Sequence, residues 1–356
     1  MDTSVISNTN FTILPRRRGP HVVDIPLESI SRLAPFSCLI LSIICVIYFL
    51  VRFYILEGFL LKMVYGKIYT DMSDKTRRGF VNHHIAGTIK ILILIIAAYP
   101  FIDVAFVNAT FHSPFAGSKI VTQGDVLIVV AQMLIAMYIF ELFYRTTISP
   151  VSVGHHIGTI LIGESAIAIS LSLAAEKDAT IEFVLCTVWG AFDIISESFP
   201  HISIILYRIY PESHRFLKSL FQTAMITTLT GTTAETILVM YLFGSLWNRW
   251  TLAFKITTPM LHILFMSCQL WGSYNFYRMY KRQEHLISMN ENNKDDVEQQ
   301  RGQVKLTGVK DASNHLLAVN QDSLYTISRE PSREGCRELL GQASRDNSQT
   351  RLAVCS

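Results

Sequence analysis

The sequence predicts an all-α integral membrane bundle of about seven transmembrane helices, followed by a disordered C-terminal tail. Three observations predict it. Of the 356 residues, 50% are hydrophobic and only 17% are charged, whereas a soluble domain carries about 25% charge. Several runs are long and uncharged enough to cross a hydrocarbon core about 30 Å thick. From residue 281 onward the apolar runs stop, Asn, Gln, Ser, Arg and Glu take over, and Tyr325 is the only aromatic residue.

In chain order, residues 1–32 read as a flexible N-terminal segment. No charged-then-apolar start opens the chain, so a cleavable signal peptide is not expected and the first helix is expected to act as the membrane signal. The first transmembrane helix is read at 33–56, with no charged residue from Leu33 to Val51. Residues 75–285 read as a six-helix membrane domain. Its helices are expected at Ile85–Ile102, with Lys90 inside, Val126–Tyr144, with Glu141, and Ile157–Ala175, with Glu164. Three more follow at Ile181–Phe199, with Glu182, Asp193 and Glu197, at Ser219–Trp247, with Glu235, and at Ile256–Tyr277, with His262 and no charge. Helices that line a protein interior keep charges that lipid-facing helices lose, so these five polar helices point to an internal chamber.

Residues 286–356 read as a disordered cytoplasmic tail, because such a composition cannot bury enough apolar surface to offset its ordering entropy. Ser332 and Ser348 each follow an arginine, Arg329 and Arg345, by three positions. Basophilic kinases read that pattern, and cytosolic partners of the tail are the matching expectation; a solvated tail without a switch is the simpler one. Cys38, Cys45, Cys186 and Cys268 fall in predicted helices and Cys336 and Cys355 in the tail, so no disulfide framework is expected. Cys355 is too close to the end for a prenylation box.

Basic residues concentrate on cytoplasmic loops. A cytoplasmic tail puts Lys62, Lys67, Lys75, Arg77, Arg78, Arg145, Arg208, Arg215 and Lys218 inside and leaves the opposite loops sparse. The sequons at Asn10 and Asn108 then both face the lumen, where glycosylation takes place. The cluster Arg16, Arg17 and Arg18 opposes this N-terminus-lumenal topology, and a short extra element at Gly58–Tyr65 is the arrangement that would accommodate it. Because basic residues are spread over loops rather than gathered in one stripe, nucleic-acid binding is not expected.

Threading the helices in alternating directions brings ionisable groups to one depth near the cytoplasmic boundary. Glu141 and Arg145 end one helix four residues apart, on one face. His155 and His156 begin the next, with Thr159 one turn deeper. Asp193, Glu197 and His201 step down another by fours, and His83 and His84 begin a fourth. Histidine suits proton transfer near neutral pH, and a neighbouring carboxylate fixes its tautomer and raises its basicity. Each of these residues also has a plainer reading, an interfacial histidine or a neutralised pair. Adjacent histidines point about 100° apart on a helix, so a metal shared by His155 and His156 is not expected. Lys90, Glu164, Glu235 and His262 are expected deeper, and the threonines around Gly231 read as packing residues. The strings His83-His84-Ile85 and His155-His156-Ile157 are too short to establish a repeat.

Glu141-Leu-Phe-Tyr-Arg145, His155-His156-Ile-Gly-Thr159, Ser196-Glu197-Ser198-Phe199-Pro200 and Gln269-Leu-Trp271 through Tyr280 together resemble the TLC domain, over about residues 75–285. The resemblance implies an endoplasmic-reticulum helical bundle enclosing a lipid-accessible cavity. Ceramide synthases of that family carry a histidine pair followed by threonine, matched by His155, His156 and Thr159, and a later element matched here by Asp193 and Glu197. Its leading His-Asp is replaced by Trp189-Gly190, and an asparagine- and arginine-bearing stretch between the motifs is missing, so the resemblance is to a member that is not a ceramide synthase. The first functional expectation is lipid binding, sensing or membrane lipid homeostasis, with membrane lipids as partners and no cofactor. The alternatives are an N-acyltransferase using acyl-CoA, with His155 or His156 as base and Asp193 and Glu197 orienting it, and a seven-helix receptor.

Overall fold

The computed structural model describes residues 29–171 and 179–319, without the side chains of 179, 297 and 302–319. The N-terminal residues 1–28, with Asn10, lie outside the described residues, as do 320–356, with Ser332, Ser348, Cys336 and Cys355. Among the described residues the secondary structure is helical, apart from one isolated bridge between Pro114 and Thr122.

The first helix is longer than expected. A 3-10 turn (Ala34–Phe36) leads into α1 (Ser37–Leu50), which continues through a π-helical stretch (Val51–Leu60) into α2 (Leu61–Tyr65). In a π-helix residues five apart align, and Arg52 meets Glu57 at 2.7 Å. Tyr144 donates its hydroxyl to Glu57, and the Arg52 guanidinium lies 4.7 Å from the Tyr144 ring centre. Residues 58–65 therefore prolong this helix rather than form a separate element. Gly66 ends it at φ +49°, a conformation open to glycine, and the short α3 (Lys67–Thr70) follows.

Six long helices come next: α4 (Asp74–Phe106), α5 (Gln123–Tyr144), α6 (Pro150–Ser170), α7 (Ala179–Ile209), α8 (His214–Ser245) and α9 (Leu252–Val319). Their starts are written locally. Ser73 caps α4, Thr122 and Asp125 form a reciprocal capping box on α5, and Ser149 caps α6 with Pro150 in its first turn. Neighbour contacts run α5–α4–α7–α8–α9–α6 and back to α5, closing a ring across which α6 also packs on α7, with α1 outside against α5. Gly231 on α8 allows the tight α7–α8 approach, because a Cβ there would sit 2.0 Å from Ser196 Oγ.

Among the described residues, five helical stretches are long and apolar enough to cross a membrane: Ala34–Tyr65, α4, α5, Thr180–Ile209 within α7, and α8. The sequence reading counted seven. The other two, α6 and α9, are helical and are not among these five; α6 carries His155, His156 and Glu164, and α9 carries His262 and Gln269.

Two boundaries move. The end of the segment expected to be flexible, residues 29–32, is packed: Ile30 is fully buried and Ser31 donates to Asp125 at 2.5 Å, next to Gly124, where a Cβ would strike the Ile30 carbonyl. And α9 does not stop at 285 but runs to Val319. Contacts to the start of α8 hold its first extramembrane turns, Lys218 to Glu284 at 2.9 Å and Arg215 to Glu291 at 2.9 Å. Hydrogen bonds from Lys281 and Lys218 hold the Glu284 carboxyl at about 2, below its ordinary 4.5. This clamp is therefore fully present above pH 4.5 and is lost as pH falls through about 2. Carbon-detected titration of Glu284 is expected to show its midpoint well below that of an unpaired glutamate, and the Lys218→Ala/Lys281→Ala variant to return it upward.

Candidate functional site

At one pole of the ring the end of α5 and the start of α6 lean against α4 and α7, whose cluster residues run from His83 to the middle of α4 at Lys90 and from His201 to the middle of α7 at Asp193. Tyr138 and Glu141 on α5 and Arg145, the residue that caps its end, follow one another at three- and four-residue spacing. Arg145 bonds Glu141 at 2.5 Å, and His156 Nε2 lies 3.6 Å from the other Glu141 oxygen. The Tyr138 ring stacks on His156 with centres 4.5 Å apart, and its hydroxyl donates to Asp193. His155 Nε2 lies 3.4 Å from Asp193 and 3.8 Å from Glu197.

The cluster's centre is a residue the sequence reading set apart. Lys90 is fully buried; its ammonium donates to Glu197, lies 3.9 Å from Asp193 and faces the Tyr138 ring. It is seven residues, two helical turns, beyond His83, so depth along the helix hid it while rotation aimed it inward. Tyr138 was also missed; its spacing of three from Glu141 was the available signal.

The other expected residues divide. His83 and His201 meet with their Nδ1 atoms 2.9 Å apart, one layer outward from Lys90. His84 turns away to the Tyr65 hydroxyl and the Phe80 carbonyl, a structural role. Thr159 donates back to the His155 carbonyl at 3.0 Å. Glu164 stands apart from the cluster, with one buried carboxylate oxygen lacking a hydrogen bond. Asn108 is exposed in the α4–α5 connection, at the opposite pole.

Against the cluster lies a cavity of about 290 Å³, near the lower bound of small-ligand pockets, roughly 300 Å³. On α4 it runs from Ile93 to Ile102, about 13 Å at 1.5 Å per residue. Its walls are apolar, with Leu127, Leu134 and Phe183 among them, and its polar lining comes from His155, Thr159, Asp193, Glu235 and Gln269. Gln269 donates to Glu235 at 2.8 Å. Trp189 also lines the cavity and donates its indole N–H to His262 at 3.2 Å.

None of the four ring nitrogens of His155 and His156 makes a well-aligned hydrogen bond, although both residues are buried. Buried polar atoms are nearly always satisfied, so this shortfall marks a place for a ligand's polar group. One donor atom each from His155, Asp193 and Glu197 lie within 4.8 Å of one another, a spacing compatible with a metal ion. Lys90 already sets an ammonium against both carboxylates, supplying the positive charge that a metal would bring.

No protein-family model matches this chain, and no curated protein or solved structure matches it either. The fold and the site define its class by themselves: a helical membrane protein with a buried ionic cluster at one end of an apolar cavity among its helices.

Proposed function

We propose that the chain is a TLC-type protein of about seven spans, α6 and α9 included, that binds a membrane lipid inside its helical ring. The carrying observation is the juxtaposition of an elongated apolar cavity with the buried His155 imidazole at its wall, which approaches Asp193 and has no well-aligned hydrogen bond. The lipid's chain lies between α4, α5, α6 and α7, and a hydroxyl, amine or amide meets His155 and Asp193. A chain gains little by leaving one apolar medium for another, so the polar contacts supply the selectivity. The TLC resemblance supports this reading, with lipid sensing or homeostasis in the endoplasmic reticulum as its biological setting, the N-terminus and Asn108 lumenal, and the tail cytoplasmic.

A second reading draws on the 3.4 Å approach of His155 to Asp193 at the cavity wall. There a lipid amine attacks an acyl-CoA thioester, the amide C–N bond forms as the C–S bond breaks, and His155 carries the amine proton to the departing thiolate.

The test of lipid binding is native mass spectrometry of the full chain after detergent exchange, compared with His155→Ala. Wild type retains a lipid adduct, and the variant loses about 1–3 kcal/mol of binding, one buried polar contact, or roughly five- to a hundredfold in affinity. Equal retention by both contradicts the reading. Incubation with labelled acyl-CoA and a long-chain base separates the two readings, because only the second gives amide product that disappears in the variant.

A further inference from the structure

A second pocket, of about 150 Å³, opens at the same pole outward from His83 and shares no lining residue with the lipid cavity. It holds roughly ten times the space one water needs, about 10–15 Å³. Lys75 and Thr76 come from the first turn of α4, Arg145, Thr146 and Thr147 from the α5–α6 connection, and Arg208 from the last turn of α7. No residue lining it is acidic.

We propose that this pocket binds the phosphate of an anionic membrane-lipid headgroup. A lining of one lysine, two arginines and three threonines attracts an anion. Inward, Arg145 is partly neutralised by Glu141; Asp74, the acid nearest in sequence to Lys75, is engaged by Arg77 at 3.0 Å and Arg78 at 3.1 Å. Arginine forks and threonine hydroxyls are the donor set that phosphate oxygens accept from. The residues come from the ends of helices long enough to span a membrane, the level at which headgroup phosphates lie, and Lys75, Thr146 and Thr147 are exposed there. That depth selects a headgroup over a dissolved phosphate ester.

The experiment titrates the full chain, in neutral detergent, with short-chain phosphatidate, with diacylglycerol of the same chains, and with inorganic phosphate. Phosphatidate is expected to bind and the other two not to at this site. Lys75→Gln/Arg208→Gln is expected to weaken phosphatidate binding roughly thirtyfold, from about a factor of five per charge, while Lys75→Arg retains it. Thr147→Glu, at an exposed position, sets a carboxylate at the rim and is expected to weaken it as well, should the double variant fail to fold. Retention of the uncharged lipid in the inner cavity stays unchanged in the Lys75 and Arg208 variants, so failure here is distinct from failure of the lipid-cavity reading. Equal phosphatidate affinity in wild type and Thr147→Glu overturns the proposal, and inorganic phosphate binding as well as phosphatidate overturns its assignment to a lipid.

Discussion

Replacing Lys90 with methionine is expected to destabilise the folded chain by about 3–5 kcal/mol, the cost of leaving buried carboxylates without their counter-charge. Asp193 is nine-tenths buried, and Lys90 is the ammonium shared by Asp193 and Glu197. Methionine keeps most of the volume, so the loss reports charge rather than packing. The check is thermal unfolding in detergent across a double-mutant cycle. Lys90→Met/Glu197→Gln is expected to recover part of the loss, because the neutral amide no longer needs the ammonium, and Asp193 keeps the recovery incomplete. A Lys90→Met variant within about 1 kcal/mol of wild type, the range of a solvated surface pair, would show that the cluster is open to water.

The second large effect comes from filling the hollow. Ala131 lines the cavity on α5, and Ala131→Phe is expected to occupy the space of the lipid chain and reduce the retained adduct to detergent background. Stability is expected to hold, since the new ring takes over the apolar contacts of the lipid chain, worth up to about 1.5–3 kcal/mol for a fully buried phenylalanine. Loss of lipid together with retained stability is what separates occlusion from misfolding. An unchanged adduct would locate the lipid elsewhere.

Much of the polar cluster was legible in the sequence because helical periodicity fixes which neighbours share a face. Glu141 with Arg145, and Asp193 with Glu197 and His201, follow from spacings of four. Alternating threading placed His83 and His201 at one depth, but their contact is visible only in the structure. What spacing does not carry is the rotation of one helix against another. Lys90 was therefore placed deeper, outside the cluster, with Glu164, Glu235 and His262, and His84, one residue from His83, looked equivalent to it although it serves Tyr65 and Phe80. Long-range contacts hid the boundaries as well. Arg215 and Lys218 on α8 hold the charged start of the α9 extension, and Asp125 holds Ser31. The π-helical join at 51–60 depends on Arg52, Glu57 and Tyr144 meeting in space, which no local pattern displays.

The most direct measurement is a density map of the full chain in lipid nanodiscs, without added ligand. It is expected to show a continuous tubular feature between α4, α5, α6 and α7, ending in a polar group within hydrogen-bonding distance of His155. An inner chamber filled by ordered water, with lipid confined to the outer surface of the ring, would contradict the account.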